Sequence, residues 1–278
     1  MVQVTRRGYL FTVLGYLLVG TIFSLAVFFS NLAFEERSRT AVLNGFSKAT
    51  LVADSIESSL AGVYGISAVS SNSSLTIRDH ITADYDISGL LGSYLSYLNS
   101  SFGSITATNI SLASGGLAFR VSPGDFTYDY DSFSKNTVRV YSSSGPPGSY
   151  SLALFVPASS VVGTTDSRTF PGSFPAYVEF NKSNVGHIWT GVNGPVDVNA
   201  CSWYFMDFDG GASSLNVSVG DCLGYKNSLI VRSIGGQKAD LLIVMNLTSP
   251  SMLYSSNLSV SDRASGFSVS RYPVLSSR

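Results

Sequence analysis

The sequence predicts an α+β protein. An N-terminal transmembrane helix continues into a long amphipathic helix, followed by a short second helix and an antiparallel β-sandwich-like ectodomain. Three observations carry this. Gly8 to Phe34 hold no charge, and a membrane-spanning helix needs about 20 apolar residues. An apolar stripe then continues at helical spacing to Val63. From Ile105 onward, short runs rich in Val, Ile, Tyr and Phe alternate with Gly, Pro, Asn and Ser clusters about every ten residues, the texture of strands and turns.

The chain has 278 residues, 45% of them hydrophobic, enough to bury the core of one or two domains. Charged residues make up only 13%, about half the usual share, and Ser, Thr, Gly, Asn and Tyr take their place. Net charge is −1 and no segment carries a basic stripe, so no nucleic-acid partner is expected. A surface of hydroxyls and amides suits an extracytoplasmic protein. Seven asparagines stand in N-x-[ST], more than chance predicts: Asn72, Asn99, Asn109, Asn181, Asn216, Asn246 and Asn257. They point to N-glycosylation, which happens outside the cytoplasm.

The opening segment decides the organisation. Its apolar run outlasts the 7–15 residues of a cleaved signal core. Asn31-Leu32-Ala33 lacks the small outer residue of a cleavage site, and no lipobox cysteine follows. Arg6 and Arg7 precede the run while Glu35 and Glu36 follow it. The positive-inside rule then puts the N-terminus in the cytoplasm and the bulk of the chain outside. The expected divisions are 1–8, a cytoplasmic N-terminus or signal; 9–34, the transmembrane helix; 35–103, a helical stalk; and 104–278, the β-rich extracytoplasmic domain.

Beyond Glu36, Val42, Phe46, Ala49, Ala53, Ile56, Leu60 and Val63 recur at alternating steps of four and three, a heptad seam on one helix face. No proline interrupts residues 9–64, and Gly45 is the weak point of the soluble part. The predicted helix runs from Tyr9 to about Gly62, roughly 80 Å. Two partners fit the 42–63 seam: another copy, through self-association, or the protein's own outer domain. Two alanines among so few heptads favour packing at home.

Two resemblances attach to the N-terminus. "TRRGYL" at 5–10 resembles the twin-arginine export motif, although such signals have a shorter, less apolar core and a cleavage site. Arg7-Gly8 before a long apolar stretch also resembles the class III signal of type IV pilin-like proteins, particularly the archaeal ones. That resemblance implies cleavage after Gly8, a mature chain starting at Tyr9, and retention of the apolar helix. The bacterial pattern has Glu at the fifth mature position where this chain has Val13; archaeal relatives often lack it. The layout of membrane helix, amphipathic helix and β-rich head is similar to pilins and archaellins in outline.

Ile87, Leu90, Leu91, Tyr94, Leu95 and Leu98 predict a second helix over about 86–100, with Asp86 as N-cap and Gly103 as stop. Cys201 and Cys222 flank a hairpin whose turn falls near Asp209–Ala212, and are expected to form a disulfide closing about twenty residues. Asp125, Asp129 and Asp131, and separately Asp207, Asp209 and Asp221, form acidic clusters without EF-hand spacing, and turn chemistry explains them better than a metal. The two histidines, His80 and His187, define no triad. Ser132-Phe133-Ser134-Lys135 matches S-x-x-K without its companion motifs. Trp189 alternates with His187 on a strand, and Trp203, Tyr204 and Phe205 read as packing residues before a sugar platform. No catalytic residue, cofactor or metal ligand is assigned. The expectation is a structural or adhesive surface protein, with a filament subunit and a ligand-sensing or hydrolytic ectodomain as the alternatives.

Overall fold

The computed structural model describes residues 3–112, 118–130, 134–183 and 186–277. Helix α1 (Gln3–Tyr64) is unbroken for 62 residues, about 93 Å at ~1.5 Å per residue. It ends two residues later than the sequence suggests, in a Schellman closure. Gly65 at φ +59° donates its N–H to Gly62 O (3.1 Å), and Ile66 donates to Ala61 O (3.1 Å). Gly45 is no weak point. It is buried where the helix meets the head, and a Cβ there would strike the Ser265 side chain.

The 35–103 stretch is not a helical stalk throughout. Strands β1 (Ser67–Ser70) and β2 (Ser74–Asp86) occupy its middle. Leu75, Ile77 and Ile81 of β2 point into the core at strand spacing, but Asp79 joins them inward and breaks the apolar pattern. Helix α2 (Ile87–Tyr97) follows, its N-cap Asp86 accepting from the Gly89 N–H at 3.0 Å. Gly103 does not stop it. A π-turn over Leu98–Phe102 leads into α3 (Gly103–Ile105), and Gly103 lies where a Cβ would press on two carbonyl oxygens.

The remainder is a sandwich of two eight-stranded sheets around one apolar core. The first runs β11 (Gly186–Val196), β10 (Pro171–Lys182), β8 (Tyr150–Val156), β15 (Ala239–Asn246), β2, β1 and β19 (Ser276–Ser277), with β6 (Ser134–Lys135) also on β2. The second runs β16 (Ser251–Tyr254), β4 (Ala118–Ser122), β5 (Phe126–Tyr130), β7 (Thr137–Ser142), β14 (Tyr225–Ile234), β13 (Ser213–Cys222), β12 (Cys201–Phe208) and β9 (Val162–Arg168). Pairing is mostly antiparallel, as the sequence predicts, with two exceptions: β8 with β10, and β1 with β19. The first exception arises because the chain leaves β8, forms β9 in the opposite sheet, and returns as β10. Fully buried Phe119, Tyr128, Phe180, Tyr204 and Phe208 fill the space between.

A third, three-stranded sheet, β18 (Ser268–Arg271), β17 (Leu258–Asp262) and β3 (Thr108–Leu112), backs onto α1. Here Ala49, Val52, Ala53 and Ile56 form a second apolar cluster with Leu98, Ile110, Leu258 and Val260.

Candidate functional site

Three features carry functional information: the free part of α1, its junction with the head, and a sealed polar cluster inside the sandwich.

Among the described residues α1 is the one helix long and apolar enough to cross a membrane, and its apolar window is wholly uncovered by the head. Ile22, Phe23, Phe28, Phe29 and Phe34 are all exposed. Leaving so many large apolar groups in water is unfavourable at about 25 cal/mol per Å². A long apolar N-terminal helix attached to a disulfide-bonded β-rich domain is the layout of a membrane-anchored protein. Gly8 and Tyr9 fall within α1, outside the residues whose side chains are described.

At the junction the predicted seam divides. Val42 and Phe46 remain exposed at 43% and 46%, although the Phe46 ring meets Phe267 edge-on at 5.0 Å. From Ala49 to Leu60 the seam is buried in the head. Polar contacts fasten its flanks. Lys48 pairs with Asp262 at 2.7 Å, and Arg271 reaches Glu57 at 2.9 Å and Asp54. Glu57 also accepts from the Val274 N–H at 2.8 Å. Lys48 and the Ser265 amide and hydroxyl hold the Asp262 carboxyl well below the usual carboxylate range.

Cys201 and Cys222 are bonded, with Cα atoms 4.9 Å apart. The ladder places Cys201 opposite Gly220, two residues before Cys222 on the neighbouring strand, and β13 is irregular at that end where it pairs with β14. Of the sequon asparagines, Asn72, Asn99, Asn109, Asn246 and Asn257 are exposed and Asn216 is half-buried. Asn181 in β10 is only 8% exposed, so a glycan there has no outlet from the folded sheet.

The acidic residues serve the backbone. Asp209 accepts from the Val161 N–H (3.0 Å), Asp221 from the Asn227 N–H (3.2 Å), and Asp207 from Thr164 Oγ1 (2.8 Å). Asp129 pairs with Arg139 at 2.7 Å, Asp125 sits in a tight turn at φ +50°, and Asp131 lies outside the described residues. Among the described residues no three His, Cys, Asp or Glu side chains gather to hold a metal. Trp203 and Phe205 are half-buried on the outer face of β12 and Tyr204 points into the core. The side chains of His187 and Trp189 lie outside the described residues, as do Ser132 and Phe133 of the S-x-x-K match.

Lys135, the last residue of that match, has a different partner. Its side chain is fully buried and forms an ion pair with Asp79, equally buried. Asp79 Oδ2 accepts from Tyr128 OH (2.6 Å) and Tyr130 OH (2.7 Å), and Oδ1 accepts from the His80 N–H (2.7 Å). Lys135 Nζ also approaches Gly65 O at 3.4 Å and lies 5.1 Å from the ring centres of Tyr85 and Tyr130. Burial and the Asp79 charge push both tyrosine hydroxyls far up, so they stay protonated donors. Burial also pulls the Lys135 ammonium down, with Asp79 opposing. His80 closes one side, its Nδ1 3.9 Å from Asp79 Oδ1, facing a surface groove of about 560 Å³ that Phe155 and Asp240 also line. Neither Asp79 nor its strand is among the sequence-based expectations; a carboxylate at 79 in step with Leu75, Ile77 and Ile81 is the signal that could have pointed to the cluster. No family model matches the chain, and no curated protein or solved structure is significantly similar to it.

Proposed function

We propose that this chain is a single-pass surface protein with its N-terminus in the cytoplasm and its β-rich head outside, structural or adhesive in role and without catalysis. The observation that carries the reading is α1 itself. One helix passes from a membrane-length exposed apolar segment directly into the core of the head. Arg6 and Arg7 before the segment, and Glu35 and Glu36 after it, support the orientation. The disulfide and the accessible sequons suit an oxidising exterior, with glycans at exposed Asn72, Asn99, Asn109, Asn246 and Asn257 and at half-buried Asn216. Protease added to intact cells tests this. It should remove the head and leave an N-terminal tag protected; digestion of the tag and protection of the head would reverse the topology.

A second reading, a type IV pilin-like filament subunit, is favoured by one observation. Past the apolar segment, Val42, Leu43 and Phe46 remain exposed on one side of α1, a surface that a neighbouring copy's helix can cover. The mature N-terminus separates the two readings. Tyr9 supports processing after Gly8 and the filament, and Met1 supports the retained anchor.

A further inference from the structure

The Asp79–Lys135 cluster is more elaborate than an ion pair needs. A buried pair of opposite charges contributes little net stability, because desolvation consumes the Coulombic gain. Here an amine and a carboxyl group touch, both wholly buried, with two phenol donors on the far carboxyl oxygen. This arrangement presents a nucleophile, an electrophile and an oxyanion site together, with water excluded.

We propose that Lys135 Nζ and Asp79 Cγ join in an intramolecular amide, formed by the folded protein itself. A proton first passes from Nζ to Oδ1, leaving a neutral amine and a neutral carboxylic acid. The amine lone pair attacks Cγ and the N–C bond forms. The electrons of the C=O bond move onto Oδ2, where the Tyr128 and Tyr130 hydroxyls hold the charge. The C=O bond then re-forms, the Cγ–Oδ1 bond breaks, and Oδ1 leaves as water with a second proton from the nitrogen. One ammonium and one carboxylate become one amide and one water, so no oxidant, cofactor or added reagent is required. Burial favours the first step on the amine side: bulk water would hold the ammonium charged, whereas burial here lowers the proton affinity of Lys135. Neutral His80, whose proton affinity burial and Lys135 both lower, stands beside Oδ1 on the groove side to carry a proton. The bond would tie β2 to β6, the short strand already paired with it, which lies on the connection between β5 and β7 of the second sheet.

Peptide mapping tests the proposal. The full chain, produced in a bacterial host so that the sequons stay bare, is denatured, digested with trypsin and analysed by mass spectrometry. Residues 79–120 and 121–139 should appear as one branched species, lighter than their sum by one water and uncut after Lys135. Recovery of 79–120 by itself, with full cleavage after Lys135, overturns the proposal. In Lys135→Arg the branched species should vanish; its persistence would place the link elsewhere and refute the assignment. Tyr128→Phe combined with Tyr130→Phe should slow bond formation on the order of a hundredfold in protein that still folds by circular dichroism. Unchanged formation there would overturn the oxyanion role of the tyrosines.

Discussion

Ala53→Glu tests whether the seam of α1 belongs to the protein's own core. Ala53 is 1% exposed in the cluster with Ile56, Leu98, Leu258 and Val260. The longer side chain overfills this space, at about 1–3 kcal/mol. Its carboxyl group, neutralised by burial but without a partner, adds about 1–3 kcal/mol. A total near 4 kcal/mol should lower the melting temperature by roughly 8–16 °C, at about 2–4 °C per kcal/mol for a domain of this size. Leu51→Glu is the control on the same helix. Leu51 is 68% exposed, and a surface change within about 0.5 kcal/mol shifts the midpoint by no more than about 2 °C. Both variants are made in the full chain in detergent, melted by circular dichroism, and sized by light scattering. An Ala53→Glu protein that melts like the parent while losing its oligomers would refute home packing.

Reduction of Cys201–Cys222 should cost about 3 kcal/mol for a closed loop of this length, read as an earlier midpoint in urea with and without reductant. Gly65→Ala must hold φ +59° with a Cβ against His80, so a loss of about 1–2 kcal/mol is expected in the same titration. The Asp262 carboxyl has a depressed pKa in the folded state. Its contribution is therefore complete above the unfolded value near 3.9 and is lost as pH falls through the folded value. Thermal melts from pH 6 to 2 should show Lys48→Met less acid-sensitive than the parent. Among the sequons, Asn181→Gln should leave the glycan content of protein from the native host unchanged, whereas Asn109→Gln should remove one glycan.

The elements legible in the sequence were those whose burial followed a simple period. Alternation in "CSWYFMDF" gave β12, and the Asp-Gly-Gly turn beside it placed both cysteines within reach. The helical stripe gave α1, and even its partner, because alanines at 49 and 53 suit close packing on a sheet. Elements that broke the period were missed. Strand β2 carries Asp79 inward, so its pattern reads as polar. Strand β9, "VGTTDSR", is exposed along almost its whole length and offers no apolar alternation; without it the parallel return of β10 could not be foreseen. The sealed cluster joins residues 56 positions apart, and no local spacing encodes such a meeting.

The unbroken α1 also acts as a shaft. Between Phe34 and Ala49 there is no hinge, glycine turn or proline; the backbone stays helical through Gly45, and the span is about 22 Å at ~1.5 Å per residue. Torque applied to the apolar segment therefore reaches the sandwich undamped, and the azimuth at which the head faces its surroundings is fixed by a residue count. One residue inserted near Arg39 would turn the head by about 100° and raise it by about 1.5 Å, while four would restore its heading to within roughly 40°. The length of this short segment, more than its chemistry, sets the direction in which the head is presented.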